Sequence, residues 1–285
     1  MNPLRKRLET GTILAAPGAP DALSARLIAH LGFEAVYMTG LGATASRLGL
    51  PDLGLMTQTE MAAHARAMTA AAGIPVIADA DTGYGGPLNI RRMIADYAMA
   101  GVAALHLEDQ ASPKRCGQLS GIRLVEPDEA EQRLRAAIAA RDTLAPDMLI
   151  IGRTDALPAR GIDEAVARAR RYADCGVDLV FVDGIKTRAE IEAVAARVPG
   201  PKLVSLVDGT EAAAVTLDEL QQMGFSICLY AVTTLFAGLA AQARALESLR
   251  AAGHVAAIPD QMSYAEFSQI VRLSEHQAFA HEFEP

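Results

Sequence analysis

The chain has 285 residues and a mass of 30.0 kDa, enough for one large domain or two ordinary ones. Its hydrophobic fraction of 51% and mean hydropathy of +0.18 supply a sizeable core and exclude disorder as the main state. The formal charge is −8, and the 26 Lys and Arg residues are scattered along the chain. Because a nucleic-acid surface needs a basic stripe, we expect no nucleic-acid partner.

The cysteines and the apolar runs bear on the cellular compartment. The three cysteines are too widely spaced for a zinc site or a disulfide framework. No apolar stretch follows the basic N-terminus as in a signal peptide, and no run approaches the ~20 residues that span a bilayer. We therefore expect a cytoplasmic protein with reduced thiols and no membrane partner.

Short apolar runs alternate with longer segments of helical period along the chain. Strands are predicted at 12–16, 34–38, 75–79, 103–107, 148–152, 178–183, 202–206 and 225–229. Helices are predicted at 21–31, 58–72, 87–100, 126–142, 162–175, 187–198, 215–223 and 234–252. Glycines after several helices, and Asp or Thr at helix starts such as Asp21 and Thr187, indicate where helices end and begin. A further helix is predicted around Tyr264 to Ser274.

The predicted strands are almost continuously apolar, which is typical of parallel strands covered by helices. Eight strand–helix cycles without a linker favour an α/β fold, a (β/α)8 TIM barrel with a C-terminal helical extension. The rival, a doubly wound open sheet, usually carries a glycine fingerprint after an early strand, and residues 11–13 do not provide one. We expect a catalytic barrel at 1–252 and a helical tail at 253–285 that packs on this or a neighbouring subunit.

Three acidic side chains follow two neighbouring predicted strands. Asp79 ends the third strand, Asp81 follows it, and Glu108 follows the fourth. In a barrel these strand ends meet at one face, and all-oxygen ligands suit Mg²⁺ or Mn²⁺. The alternative is structural: Asp81 caps the next helix while the other two acids bind backbone amides. Three acids beside the glycine-rich loop at 82–86 favour the metal.

The segment 110–125 is long for a connection between a strand and a helix, and such loops over a barrel mouth are typically lids. It contains Cys116, which follows Lys114 and Arg115. These cations predict a lowered thiol pKa and a reactive cysteine, and the alternative is an inert thiol on a mobile loop. The other two cysteines, Cys175 and Cys228, are expected in the core.

Arg153 comes directly after the fifth predicted strand and is expected to face the barrel mouth. It could bind a substrate carboxylate through both branches of its guanidinium group, or it could form a structural pair with Asp155 or Asp183. A lone strand histidine, His106, is more often a core residue than a catalytic one. Tyr37 could offer a phenol hydroxyl to the site.

Six short motifs, taken in chain order, resemble the isocitrate lyase and phosphoenolpyruvate mutase superfamily, and most closely its short methylisocitrate lyase and dimethylmalate lyase branch. They are YMTG at 37–40, PD at 51–52, DADTGYG at 79–85, LEDQ at 107–110, KRCG at 114–117 and RTDA at 153–156. The resemblance implies a TIM-barrel enzyme that cleaves or forms a bond beside a 2-oxo or 2-hydroxy acid. It also implies a homotetramer whose last helix is exchanged between subunits.

The resemblance assigns roles residue by residue. It implies that Asp79 and Asp81 hold Mg²⁺, with Glu108 and Asp52 anchoring its waters, and that Cys116 is the general acid. The substrate-binding residues that it implies are Thr39, Gly40, Leu41, Gly117, Arg153, Asp183 and Ser205.

The chemistry of such a site is a retro-aldol cleavage of a malate-type acid. The metal lowers the pKa of the 2-hydroxyl group, and Tyr37 or a metal-linked carboxylate removes its proton. The C2–C3 bond then breaks, a 2-oxo acid is left, and Cys116 protonates the departing carbanion. Closure of the lid excludes water so that the chosen acid supplies this proton.

Four positions depart from the family pattern, and all four concern the leaving half of the substrate. Gln118 stands where a His is expected, Ile122 where a Lys is expected, Asp183 replaces Glu, and Ser205 replaces Asn. The loss of cationic partners predicts a smaller or less charged leaving acid than in tricarboxylates. Two alternatives stay open: an oxaloacetate decarboxylase or phosphonopyruvate hydrolase on the same scaffold, and an inactive barrel that binds a dicarboxylate.

Overall fold

The computed structural model describes residues 2–258 and 260–284. Eight parallel strands pair in chain order, and the first also pairs with the last, so the sheet closes. The strands are β1 Leu14–Ala19, β2 Val36–Met38, β3 Val76–Asp79, β4 Ala104–Glu108, β5 Leu149–Thr154, β6 Leu179–Val182, β7 Lys202–Ser205 and β8 Ile227–Tyr230. The predicted TIM barrel is confirmed, and the open-sheet alternative is wrong.

Helices surround this barrel. They are α1 Pro3–Leu8, α2 Ala22–His30, α3 Gly40–Leu48, α4 Gln58–Ala72, α5 Pro87–Met99, α6 Pro127–Leu144, α7 Ala156–Arg160, α8 Ile162–Asp174, α9 Arg188–Arg197, α10 Leu217–Gln222, α11 Thr233–Ala252, α12 Tyr264–Ile270 and α13 Leu273–Phe283. Short 3₁₀ helices lie at Glu211–Ala214 and Val255–Ala257. All eight predicted helices are present, whereas α1, α3 and α7 were not predicted. The tail holds two helices where one was predicted, and the division into 1–252 and 253–285 stays a prediction.

The predicted helix signals act as expected. Asp21 accepts a hydrogen bond from the Ser24 amide at the start of α2. Thr187 forms a reciprocal capping box with Glu190 at the start of α9. Gly73 ends α4 in the left-handed conformation, with a φ of 67°.

Strand β1 is the least accurate prediction, since it was expected at 12–16. Pro17 and Gly18 resemble a strand end, because proline lacks an N–H group and glycine has no side chain to pack. The ladders nevertheless continue, with Pro17 opposite Tyr230 and Gly18 opposite Tyr37. Pairing on both sides therefore overrides the local preference.

The N-terminal end of the barrel is closed. Leu4 of α1 is fully buried, and the Asn2 amide donates to the carbonyl oxygens of Ala103 and Asp147. Apolar side chains such as Ile151 fill the barrel interior above Leu4 and Asn2. Chemistry is thus confined to the opposite end, where the strands terminate.

Helix α11 packs differently from the helices before it. None of its side chains is buried, and Leu239 and Leu246 are 52% and 64% exposed. Its first turn is held by hydrogen bonds from Thr233 to Asp208 and from Thr234 to the Gly18 carbonyl. Within the described residues, no helix is both long enough and apolar enough to cross a membrane.

Candidate active site

The strand ends bring the predicted residues together. In the barrel register, Asp79 of β3 lies beside His106 of β4, and Glu108 of β4 lies beside Arg153 of β5. All four side chains are buried. The expectation that acidic groups and an arginine meet at the mouth is therefore confirmed by the fold.

We use the name acid cage for the carboxylates of Asp52, Asp79, Asp81 and Glu108, which are all buried. Asp81 has a positive φ of 46°, and its amide donates to Asp79 Oδ1 over 2.9 Å. Neither carboxylate oxygen of Glu108 accepts a hydrogen bond from the described residues, and Asp81 Oδ1 has only an ion-pair contact. Buried oxygens without partners are costly, and a divalent cation prefers such donors.

Burial and neighbouring charges shift the pKa values of these acids in different directions. Burial raises the pKa of Glu108 well above its usual value and that of Asp81 to about 6, although Lys114 opposes the second shift. Burial also acts on Asp79, but His106, Lys114 and Arg153 outweigh it and lower its pKa to about 2. A bound divalent cation would supply the charge that lets these acids ionise together. The donor set therefore fits the metal that the fold family implies.

Lys114 occupies part of the acid cage, which the sequence did not predict. Its Nζ lies 2.8 Å from Asp52 Oδ1, 3.0 Å from Asp52 Oδ2 and 2.5 Å from Asp81 Oδ1. Within the part of the chain that the structure describes, no three His, Cys, Asp or Glu side chains are grouped as a ready metal centre. Lys114 is part of the KRCG motif, but the sequence suggested only an effect of its charge on Cys116 and no contact with the acids.

Arg153 is paired with acids on several sides. It donates to Asp155 over 2.8 and 3.1 Å and to Asp183 over 2.5 Å, and Glu108 Oε2 lies 3.3 Å away. Its Nη1 has no hydrogen-bond partner among the described residues. The structural pairing considered from the sequence is thus confirmed with both aspartates, and Nη1 remains available to a ligand.

A buried network beneath Arg153 fixes the RTDA segment. Asp109 accepts hydrogen bonds from the Thr154 hydroxyl, the Asp155 amide and the Tyr172 hydroxyl at 2.7 to 2.9 Å. Arg168 adds an ion pair at 3.2 Å. Sequence reasoning missed this network, although its acid lies in the LEDQ motif.

The segment Thr39 to Leu41 joins β2 to α3. Thr39 caps the helix, and its hydroxyl accepts from the Gly42 amide. A Cβ atom on Gly40 would lie 2.5 Å from Asp79 Oδ2, so the acid cage requires glycine here. The first N–H groups of a helix have no intrahelical partner and bind anions, which suits the predicted carboxylate site.

A cavity of about 310 Å³ lies over these groups. The predicted residues that line it are Tyr37, Thr39, Leu41, Asp52, Asp79, Cys116, Gly117, Arg153, Asp183 and Ser205, together with the departure Gln118. Asp81 lines a neighbouring cavity of about 620 Å³ with Lys114, and Glu108 lines neither. Apolar side chains complete the wall of the smaller cavity, and the sequence did not predict them there; they include Val207, Val232 and Phe236.

The loop at 110–125 reaches into this cavity. The Cys116 amide donates to the Asp52 carbonyl over 3.1 Å. A Cβ atom on Gly117 would collide with the Asp183 carboxylate, so the loop packs directly on Arg153 and its two aspartate partners, Asp155 and Asp183. The side chain of Arg115 turns away and donates to the Ser120 carbonyl.

The expected lowering of the Cys116 pKa is wrong. Burial raises it to about 11, because Lys114 and Arg115 are engaged elsewhere and do not contact the thiol. A thiol with this pKa stays protonated at neutral pH, which is the state that a general acid needs. Cys228 is buried as predicted, whereas Cys175 is half-buried at the end of α8 and was wrongly expected in the core.

Tyr37 and His106 form a neutral pair beneath the cavity. The Tyr37 hydroxyl lies 2.9 Å from His106 Nε2. Burial raises the pKa of Tyr37 well above its usual value and lowers that of His106 to about 4. The prediction of a core histidine is confirmed, and a phenol that stays protonated does not favour the role of base considered for Tyr37.

The profile of the phosphoenolpyruvate phosphomutase family matches residues 4–250. The chain belongs to this family. A 2,3-dimethylmalate lyase from Eubacterium barkeri is 38% identical over 281 residues, which cover 98% of this chain and 96% of that protein. This finding confirms the superfamily and the branch predicted from the motifs, and it supports the predicted class of carbon–carbon lyase.

Solved structures agree with this family assignment. Oxaloacetate acetylhydrolase in complex with 3,3-difluorooxalacetate matches with a TM-score of 0.92 and 37% identity, covering 98% of this chain and 95% of that one. Phosphonopyruvate hydrolase in complex with oxalate and Mg²⁺ matches with a TM-score of 0.87 and 27% identity, covering 98% and 97%.

The raised pKa of Cys116 makes its alkylation by iodoacetamide depend on pH in a specific way. Only the thiolate reacts, so we expect the rate at Cys116 to keep rising through pH 10. A cysteine in a model peptide, with a pKa of about 8.5, levels off earlier. Peptide mass spectrometry measures the rate at each pH, and a plateau below pH 9 would contradict the buried, protonated thiol.

Proposed function

We propose that this protein is a Mg²⁺-dependent carbon–carbon lyase. It would cleave a substituted malate-type 2-hydroxy acid into a 2-oxo acid, pyruvate or glyoxylate, and a carboxylic acid. The observation that carries the proposal is that one cavity joins a protonated thiol, Cys116, to Asp52 and Asp79, two of the four buried acids of the acid cage. The named lyase relative supports the same reaction class.

The acid cage would hold the metal. Asp79 and Asp81 are the proposed direct ligands, and Glu108 and Asp52 would anchor its waters. Bound Mg²⁺ would supply Lewis acidity that lowers the pKa of the substrate hydroxyl group. Mg²⁺ is favoured over softer metals because every proposed donor is oxygen, and Mn²⁺ is the natural substitute.

The chain's own groups would then orient the substrate and move its protons. The amides at Thr39 to Leu41 and the free Nη1 of Arg153 would bind the carboxylate of the 2-oxo acid half. A carboxylate of the acid cage, rather than Tyr37, would take the proton from the 2-hydroxyl group. As the C2–C3 bond breaks, its electron pair passes to the leaving half, and the Cys116 thiol donates a proton to that carbon.

The rest of the cavity restricts the leaving half. Its wall combines apolar side chains with the uncharged polar ones of Gln118, Ser205 and Thr210 and with the acid Asp208. Among the described residues that line it, Arg153 is the only Lys or Arg, and acids already pair with it. An additional carboxylate would find no cation there, so alkyl-substituted leaving acids fit better than those of tricarboxylates.

A panel of substituted malates tests the proposed activity. With Mg²⁺ we expect release of pyruvate or glyoxylate from alkyl-substituted malates, with kcat/KM at least about tenfold above that for tricarboxylates. Chelation with EDTA should abolish the release, and added Mg²⁺ should restore it. A preference for tricarboxylates would contradict the assigned leaving half. Absence of turnover, of Mg²⁺ stabilisation and of oxalate binding would instead indicate an inactive barrel.

A second candidate function is oxaloacetate decarboxylation or phosphonopyruvate hydrolysis, and the phosphonopyruvate hydrolase relative gives it support. The thiol separates the two candidates, because a general acid typically contributes 10²- to 10⁴-fold to a rate. We expect Cys116→Ser to lower the rate of carbon–carbon cleavage by about 10²-fold or more, with Cys175→Ser as the matched control. Decarboxylation that survives in Cys116→Ser would favour the second candidate.

We also propose that the protein is a homotetramer in which α11 is exchanged between subunits. The support is that α11 buries no side chain within its own chain although it is the eighth helix of the barrel. Leu239 and Leu246 are apolar groups that a second copy would cover. The small-molecule substrate would thus bind to the assembled tetramer.

Sedimentation measures the assembly directly. We expect a mass about four times 30.0 kDa, and Leu239→Glu with Leu246→Glu should produce smaller species because charge on this face opposes burial. Leu88→Glu, at a position that is 82% exposed on α5, serves as the control. A wild-type monomer at micromolar concentration would contradict the exchange.

A further inference from the structure

We infer that Lys114 is a built-in cation that locks the loop at 110–125 over the site, and that a divalent metal must displace its contact with Asp81. The inference rests on the metal site of the proposed function. Beyond that function, Lys114 would both hold Cys116 in the cavity and compete with the metal for the acid cage.

The position of the ammonium group is the first support. Nζ contacts three carboxylate oxygens of Asp52 and Asp81 at 2.5 to 3.0 Å, and its side chain is only 5% exposed. A buried lysine is rare unless it is paired, so these contacts hold the charge in place.

The chemistry of the two cations makes them rivals. Mg²⁺ binds oxygen at 2.0–2.1 Å and tolerates little distortion of its coordination shell. Asp81 Oδ1, which would be one of its donors, lies 2.5 Å from Nζ. A divalent ion and an ammonium group on the same oxygen repel each other strongly in a buried site. Metal binding therefore requires Lys114 to leave Asp81, even if it keeps Asp52.

The lysine is joined to the thiol through a short, braced segment. Cys116 lies two residues further along the loop, and its amide donates to the Asp52 carbonyl. The Gln110 side chain donates to the Arg115 carbonyl over 2.8 Å and accepts from the Arg115 amide over 3.1 Å. The ion pairs of Lys114 with Asp52 and Asp81 add to these hydrogen bonds, so their loss leaves the segment that carries Cys116 less firmly held.

Two reporters test the lock without relying on turnover. The first is the alkylation rate of Cys116 by iodoacetamide in metal-free protein, with the half-buried Cys175 as the internal reference. We expect about tenfold faster alkylation in Lys114→Met than in wild type, within the usual range of coupling energies between sites. Lys114→Arg should keep the slow rate because it keeps a cation. Lys6→Met, on α1 at the closed end of the barrel, should match wild type.

The second reporter is the binding of MgCl₂ alone, followed by calorimetry. We expect Lys114→Met to bind Mg²⁺ about tenfold more tightly than wild type, because the competitor is gone. Mg²⁺ should also speed alkylation of Cys116 in wild type and leave the rate in Lys114→Met unchanged. Thermal unfolding with and without Mg²⁺ verifies that each variant is folded, and the metal should stabilise Lys114→Met more than wild type.

The outcomes separate the lock from the proposed function. Equal alkylation of Cys116 in metal-free wild type and Lys114→Met would overturn the lock, whatever the metal does. Equal or weaker Mg²⁺ binding by Lys114→Met would overturn the competition while leaving the lyase proposal intact. Failure of both proteins to bind Mg²⁺ would overturn the proposed metal site together with the competition.

Discussion

The structure depends on the burial of several carboxylates at one end of a closed barrel. A carboxylate without a compensating charge is expensive to bury, and six buried carboxylates meet at this end: the four of the acid cage, and Asp155 and Asp183, which pair with Arg153. Positive charge is therefore required at the mouth. Two cations supply this charge: Arg153, which lies on a strand, and Lys114, which lies on a loop.

Arg153 is a permanent part of the site. It stands on strand β5, and the network around Asp109 fixes the residues that follow it. Lys114 instead stands on a long loop, so its charge can be withdrawn. One half of the site is thus preorganised, and the other half can exchange its cation. This division suits a reaction that must admit a substrate and then exclude water.

Neutral groups separate these charges from the core. Tyr37 and His106 share a hydrogen bond, and Phe181 meets the His106 ring edge to face. Burial keeps both titratable groups uncharged. The raised pKa of Cys116 has the same origin, so desolvation by the closed loop, and not the adjacent cations, prepares the thiol as a proton donor.

The sequence determined the barrel and the chemical type of the site. Continuous apolar strands and eight repeats are sufficient for the fold, and side chains directly after strands must meet at one end because the strands are parallel. The acids of β3 and β4 and the arginine of β5 were predicted for this reason. Resemblance of the motifs supplied the family.

Only the tertiary structure decided which partner each charge takes. Lys114 and Arg115 adjoin Cys116 in sequence, yet Lys114 bonds to acids about 30 and 60 positions earlier in the chain. The extension of β1 through Pro17, the packing of Gly117 on Asp183 and the exposed α11 likewise follow from distant contacts. Sequence patterns report local period and strand ends, whereas electrostatics and burial depend on distances in space that no local pattern contains.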